Sequence, residues 1–332
     1  MDVAHAAGVS AKTVSKALND APHVSAEVRR KVKETATALN YLPNIAAQSL
    51  IARRSYLIGL TYERPSPSYV VELQRGALER LEDERYRLVV LPFSQVASRP
   101  EELGKLLVRA GLDGVLLAPP ACDQPELLDM LDGHKLAYAR ITPHGNFDRG
   151  IVVVMDDETA GEEIAAHILA LGHRRIAVIM GDPHHSASEM RLAGYRRAFA
   201  KAGATLDDSM IVRGDFTFDS GYAAAKELLD GKSLPTAILA QNDDMGVAAM
   251  AAARDLGLSV PGDLSVVGFD DSEISRSAWP QLTTVRQPVR EMAWDATNSL
   301  LALLESDQPG RAIAERRDHR HEILVRGSTG AH

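Results

Sequence analysis

The sequence predicts a small all-α head followed by an α/β body of two doubly wound parallel-sheet subdomains. Three observations carry this. Residues 1–41 hold three short helical patterns separated by turn residues. From Leu57 onward, short apolar runs alternate with amphipathic stretches, in two successive series. Charge is also segregated. The first 54 residues carry Lys12, Lys16, Arg29, Arg30, Lys31, Lys33, Arg53 and Arg54 against Asp2, Asp20, Glu27 and Glu34, whereas the whole chain of 332 residues has a formal net charge of −8. A positive head on an acidic body suits a part that meets nucleic acid and a part that binds something else.

In the head, a helix is expected from about Asp2 to Ala7, with Ala4, Ala6 and Ala7 small enough for a second helix to pack close. Gly8 supplies the tight backbone at the corner, and Val9 fills the angle. Ser10 suits the N-cap of a second helix over about Ala11–Leu18, with Val14 and Leu18 sharing one buried face. Ala11, Lys12 and Lys16 lie on the other side, where a recognition helix presents side chains to base edges. An ordinary αα-hairpin with a solvated basic face is the alternative. Ser25 then caps a third helix whose apolar stripe is Val28, Val32, Ala36 and Leu39.

Asp2-Val-Ala, Ala7-Gly-Val-Ser, Thr13-Val-Ser, Leu18-Asn, Val24-Ser25 and Leu39-Asn-Tyr-Leu-Pro-Asn44 closely resemble the lactose-repressor/galactose-repressor (LacI/GalR) family of bacterial transcription regulators. The resemblance runs over nearly the whole chain. It implies a helix-turn-helix DNA-binding domain over 1–42 and a hinge over 43–56. It implies a periplasmic-binding-protein-like effector and dimerisation domain over 57–332. The first subdomain would comprise about 57–155 and 285–314, the second about 156–284 and 315–332. The family usually carries several residues before the Asp-Val-Ala, whereas this chain begins almost at Asp2. The expectation is either a start assigned too far downstream or a head lacking those phosphate contacts. Many family members have Arg where Lys16 stands, and Lys keeps the charge but loses the bidentate fork. Lys12 and Lys16 are the expected base-edge donors and Ala11 a contact for a thymine methyl. Ser10, Thr13, Ser15 and Asn19 are expected to hold phosphates or caps.

Pro43 stops what precedes it, and Asn44 can cap a helix over Ile45–Ala52 too short to be stable alone. A plain linker is the reading of these residues by themselves. The resemblance implies instead a hinge helix formed in the dimer on DNA. Leu50 would then be the apolar wedge in the minor groove, with Arg53 and Arg54 beside phosphates. Ile45 and Ala46 stand where the family often has a basic residue.

Length and an apolar content of 45% suit a globular chain with a large core. Cys122 is the single cysteine, so no internal disulfide or zinc set is expected. With no signal-like segment and no run of about 18 apolar residues, the expected location is the cytoplasm, away from any membrane.

The body's apolar runs fall at Leu57–Leu60, Leu88–Leu91, Gly114–Ala118, Leu136–Ala139 and Ile151–Val154, then at Ile176–Met180, Ile211–Val212, Ala237–Ala240 and Leu264–Phe269. Unbroken runs of this kind are strands buried on both faces. Helical stretches between them are expected at 71–82, 101–110, 159–171, 191–202, 220–229 and 246–256. The resemblance adds three crossings between subdomains, near Met155, Thr284 and Glu315, a helix over Val289–Glu305, and a strand His321–Arg326 closing the second subdomain. The chain stops at His332 without the family's tetramer-forming helix, so a homodimer is expected.

Ligands of such bodies lie at the carboxyl ends of the strands. Arg191 at a helix start, Phe216, Asn242 and Asp270 fall there, each after an apolar run. A carboxylate takes neighbouring hydroxyls, an amide both donates and accepts, a guanidinium donates in a fork, and an aromatic ring covers a sugar's C–H face. The resemblance places Arg191, Asn242, Asp270 and Phe216 on the family's effector contacts. Arg191 has surface pairing with Glu189 as its alternative. Asp243 and Asp271 read as helix caps. Tyr69 or Ser68, in Pro65-Ser-Pro-Ser-Tyr69, would form the opposing wall, with loop packing as the alternative. His184, His185 and Ser188 are expected at the rim. Neither His184–His185 nor His319 with His321 reads as a metal site, and the latter pair is expected to be solvated. No phosphate loop, nucleophile elbow or zinc helix occurs, so neither an enzyme nor a cofactor is expected.

The function expected is a DNA-binding transcription regulator, a repressor acting on a near-palindromic operator. Its operator affinity would be set allosterically by a small ligand, expected to be a sugar, bound between the subdomains. A sugar-binding protein of a transport system is the alternative, but it would need a signal peptide and no basic head.

Overall fold

A computed structural model describes residues 2–18, 23–39, 41, 54–63, 66–231, 233–306 and 315–332. Two compact units emerge, Met1–Ser55 and Tyr56–His332. Asn19 and the connector from 43 to 53, including Leu50, lie outside the described residues.

The first unit contains α1 (Asp2–Ala7), α2 (Ala11–Leu18) and α3 (Ala26–Ala38). Gly8 takes φ 68°, and the Gly8 and Val9 N–H groups donate back to His5 and Ala4 carbonyls at 3.2 and 3.0 Å, closing the helix end. Ser10 Oγ accepts the Thr13 N–H at 3.1 Å, and Ser25 Oγ accepts the Val28 N–H at 3.3 Å. Both serines therefore cap as expected. Val3, Ala7, Val14, Ala17, Val32 and Ala36 form the small core. Three details differ from the sequence expectation. Ala17, three residues from Val14, is fully buried, while Leu18 packs only partly. Ala6 is exposed, so Ala4 and Ala7 alone make the close face. Leu39 is 48% exposed because the helix ends at Ala38.

The second unit is built on two parallel sheets. The larger contains β1 (Leu57–Tyr62), β2 (Arg87–Pro92), β3 (Gly114–Leu117), β4 (Ala137–Ile141), β5 (Ile151–Met155) and β11 (Glu315–His319). Its order is β11-β5-β4-β3-β1-β2. The smaller contains β6 (Ile176–Met180), β7 (Ile211–Arg213), β8 (Ala237–Ala240) and β9 (Ser265–Val267), in the order β7-β6-β8-β9. The unbroken runs β3, β4, β5, β6 and β8 are buried throughout, whereas the edge strands β2, β7 and β11 are not. Helices α4 (Pro67–Leu81), α5 (Pro100–Arg109), α6 (Pro125–Gly133), α7 (Asp157–Ala170), α8 (Ser186–Lys201), α9 (Phe218–Leu229), α10 (Asp243–Asp255), α11 (Glu273–Ser277) and α12 (Val289–Glu305) join the strands. Nine-residue α6 escapes the periodicity reading because it offers only Leu127, Leu128 and Leu131 to the core.

Two topological expectations are corrected. β11 pairs in parallel with β5, so residues 315–319 belong to the first sheet and the last crossing follows His319. The strand expected at His321–Arg326 is β12 (Glu322–Leu324), and it pairs antiparallel with β10 (Thr284–Arg286) in a separate ribbon instead of joining the second sheet. Nor are His319 and His321 solvated: they reach Asp295 and Glu163 at 3.0 and 2.8 Å, with side chains 15% and 12% exposed. No described helix is long and apolar enough to cross a membrane.

Candidate functional site

The carboxyl ends of the two sheets face each other across a cavity of about 50 Å³. Its lining includes Arg191, Asn242, Asp270, Phe216 and Tyr69, expected from widely separated stretches, together with Ser66, Pro119, Thr142, Asp157, His185, Ala187 and Gln287. Ser68 is not on this cavity; it lies on a neighbouring groove that also touches Tyr69 and Asp270. Ser66 takes the inner position as N-cap of α4, accepting the Tyr69 N–H at 3.4 Å. At about 10–15 Å³ of such space per water, the cavity itself holds a few waters, while the neighbouring groove of about 460 Å³ shares Tyr69, Asp270 and Gln287 with it.

Arg191 is the most elaborately held side chain. It sits in the second turn of α8, which starts at Ser186, and not at the helix start. Its Nε donates to Asp157 Oδ1 at 2.8 Å, with both side chains nearly inaccessible at 5% and 1% exposure. Nη1 donates to the Gln241 carbonyl, and the guanidinium lies 3.6 Å from the Phe269 ring centroid. Burial works against its charge, but Asp157 and then Asp270 more than compensate and raise its pKa. The alternative, surface pairing with Glu189, is not made: the partners of Arg191 are Asp157 and Gln241. Two glycines allow this meeting. A Cβ on Gly161 would lie 2.6 Å from the Arg191 carbonyl oxygen, and one on Gly194 would collide with the Glu158 carbonyl. The α7 and α8 backbones therefore approach closely enough for the first residue of one to pair with the middle of the other.

Asn242, not Asp243, is the N-cap of α10: its Oδ1 accepts the Met245 N–H at 3.0 Å while Nδ2 donates to the Phe216 carbonyl at 2.9 Å. Asp243 instead accepts from Thr284 Oγ1 and from the Ser272 N–H and hydroxyl, tying α10 to the crossover. Burial pushes its carboxyl up to about 7 against those hydrogen bonds. Asp271 is no cap either; it pairs with Arg326 and Arg276. Asp270 takes φ 119° and Phe216 φ 67°, conformations costing about 1–3 kcal/mol each for a non-glycine residue. Asp270 Oδ1 accepts from Gln287 Nε2 at 2.5 Å. Burial raises its pKa well above the usual carboxylate range, with Arg191 opposing. His185 is buried, stacks edge-on against Phe216 at 5.4 Å, and has its pKa lowered by desolvation. His184 is exposed, and Ser188 is buried with its hydroxyl on the Asp182 carbonyl. Ser186 Oγ at the start of α8 donates to Asp123 Oδ2 at 2.6 Å, joining the two lobes.

Sequence reasoning passed over Asp157, Thr142 and Gln287. Asp157 obeys the same strand-end rule as Asp270, following the apolar run Ile151–Met155, and it is also the first residue of α7. Gln287 follows β10, whose three residues give no strand signal.

In the head, Ala11, Lys12 and Lys16 share the exposed face of α2, and Ser15 is half-buried. Ser10 and Thr13 engage each other at 2.8 Å.

Residues 1–44 match the family model for bacterial regulatory proteins, lacI family, and residues 165–329 match that for a periplasmic binding protein-like domain. The transcriptional regulator DegA of Bacillus subtilis (strain 168) is 34% identical over 88% of this chain and 87% of its own. Among solved structures, the lac repressor dimer bound to operator and the anti-inducer ONPF is similar with TM-score 0.85 and 28% identity, covering 99% of this chain and 98% of that one. The CelR–cellobiose complex, also a transcriptional regulator, is similar with TM-score 0.74 and 31% identity, covering 98% of each chain.

Proposed function

This chain belongs to the lacI family of bacterial regulatory proteins, and from that premise we propose that it is a homodimeric repressor whose grip on a near-palindromic operator is set by a sugar taken into the cleft between its lobes. The observation that carries the reading is the convergence of Arg191, Asp157, Asp270, Asn242, Gln287, Phe216 and Tyr69 on one cavity. It supplies a fork of donors, carboxylate acceptors, amides and aromatic faces, the set a polyhydroxylated ring requires. The sugar complex of the similar CelR supports the ligand class. The operator-bound lac repressor dimer supports the partners. Lys12 and Lys16 are the base-edge donors, Ala11 the methyl contact, and Ser10, Thr13, Ser15 and Asn19 hold phosphates or caps, with Leu50 the minor-groove wedge. The protein works in the cytoplasm, beside the DNA, as a binding protein without reaction chemistry.

A ligand enters the cleft when the lobes part and then draws them together on itself. Closure shifts one lobe against the other and changes how two copies present their heads. Operator and effector affinities then alter each other by the same factor. The test is operator binding at several salt concentrations, with and without each member of a panel of mono- and disaccharides. A steep salt slope and a sugar that changes operator affinity are expected. A full-length dimer that binds duplexes from its own genome without either effect would refute the reading.

A further inference from the structure

Arg191 lines the cavity, yet its charge is already taken. Its Nε is committed to Asp157 at 2.8 Å, and Asp270 also favours its charged form. His185 adds no second cation, because desolvation lowers its pKa and keeps it neutral at pH 7. Among the described residues lining the cavity, the one guanidinium is therefore already paired with the Asp157 carboxylate, and burial pushes the Asp270 carboxyl up towards its uncharged form. An anion placed there would have to displace Asp157 from a pair only 1% and 5% exposed. Displacing one member of a buried pair strands the other without water.

We infer that Asp157 is a specificity-determining residue: it occupies the positive charge of Arg191 and so confines the cleft to uncharged, hydroxyl-bearing ligands, excluding phosphorylated and carboxylated sugars. Only Oδ1 of Asp157 and two of the three nitrogens of Arg191 have protein hydrogen bonds among the described residues. The remaining oxygen is an acceptor and the remaining nitrogen a donor. A pair of neighbouring hydroxyls matches them, one donating and the other accepting. A phosphoryl group brings about one to two negative charges at neutral pH and meets the carboxylate as a like charge. The inference rests on the cleft being the effector site, but its test contains no DNA, so the absence of an operator response would leave the result readable.

The experiment compares wild type, Asp157→Asn and Asp157→Asn/Arg191→Met as full-length proteins, titrated with inorganic phosphate and with glucose 6-phosphate and followed by calorimetry and thermal shift. The wild type is expected to bind neither at millimolar concentration. Asp157→Asn, which keeps the side-chain shape and removes the charge, is expected to gain about tenfold or more in affinity for both, as lost like-charge repulsion implies. The gain should vanish when Arg191 is also replaced. A purely structural role for Asp157 predicts loss of stability with no new anion affinity. If Asp157→Asn does not fold, Asp157→Ser is read in the same way. Anion binding by the wild type that depends on Arg191, an unchanged affinity in the folded variant, or a gain that survives loss of Arg191 would each overturn the inference.

Discussion

Replacing Arg191 by Met tests the central geometry most directly. The substitution keeps an unbranched apolar stem and removes the guanidinium. Asp157, 2% exposed overall, would lose the Nε donor at 2.8 Å, and the Gln241 carbonyl would lose Nη1. Breaking one partner of a buried pair typically costs about 3–5 kcal/mol, because the survivor stays charged and dry. The lost stacking on Phe269 at 3.6 Å adds to this. For a body of this size, each kcal/mol moves the melting midpoint by roughly 2–4 °C, so a fall of about 6 °C or more is expected. The assay is thermal and urea unfolding at one fixed protein concentration, since a dimer's stability depends on it. The double change Arg191→Met/Asp157→Asn should recover most of the loss, because no unpaired charge remains. A single variant within about 1 kcal/mol of wild type would mean the pair is solvated, and the reasoning about a dry, self-neutralised cleft would fail.

Four further outcomes follow from the same structure. Lys16→Ala should cost about 1–3 kcal/mol on the best operator and relax discrimination at one base pair; an equal loss on every duplex in a binding assay would make Lys16 a phosphate contact. Asp270→Asn should weaken effector binding by about 0.5–1.5 kcal/mol, the net worth of a hydrogen bond between uncharged groups, and leave operator affinity without effector unchanged; a retained response in titrations would move the site elsewhere. Gly194→Ala should destabilise by about 1–3 kcal/mol in urea melts through overpacking, since its methyl would push α8 off the Glu158 carbonyl; an unchanged midpoint would show that the two helices are not in close contact. His173 is held between Thr236 Oγ1 at 2.9 Å and the Gly330 carbonyl at 3.0 Å, and desolvation lowers its pKa. Its stabilisation is therefore present above the unfolded value of about 6.5 and lost as pH falls below it. His173→Gln should flatten the acid-side fall of the melting midpoint, and an unaltered pH profile would count against that assignment.

Where the sequence was readable, one physical signal dominated. β6 and β8 are uninterrupted apolar runs because both faces are covered, and Ser10, Gly8 and Ser25 mark helix ends by chemistry that needs no tertiary context. The site was readable for the residues that directly follow such runs: Asn242 and Asp270. The failures share a cause. β11 reads Glu-Arg-Arg-Asp-His because an edge strand tolerates charge, and no hydrophobic period announces it. Ser66 and Ser68 are equivalent on paper; only the cap of α4 turns one inward. Asp243 looked like an ordinary cap until Ser272 and Thr284, far along the chain, were found to donate to it. Partners supplied by distant segments leave no local trace.

The hydrogen bond from Ser186 to Asp123 between the lobes bears on timing. A visitor that needs the lobes parted is captured only during their excursions, so the observed capture rate should level off at high ligand concentration at the frequency of those excursions. The apparent affinity is then the intrinsic one discounted by the fraction of time spent ajar. Viscous or water-withdrawing solutes, which discourage hydration of the parted surfaces, would slow the cell's response without touching any group that recognises the ligand.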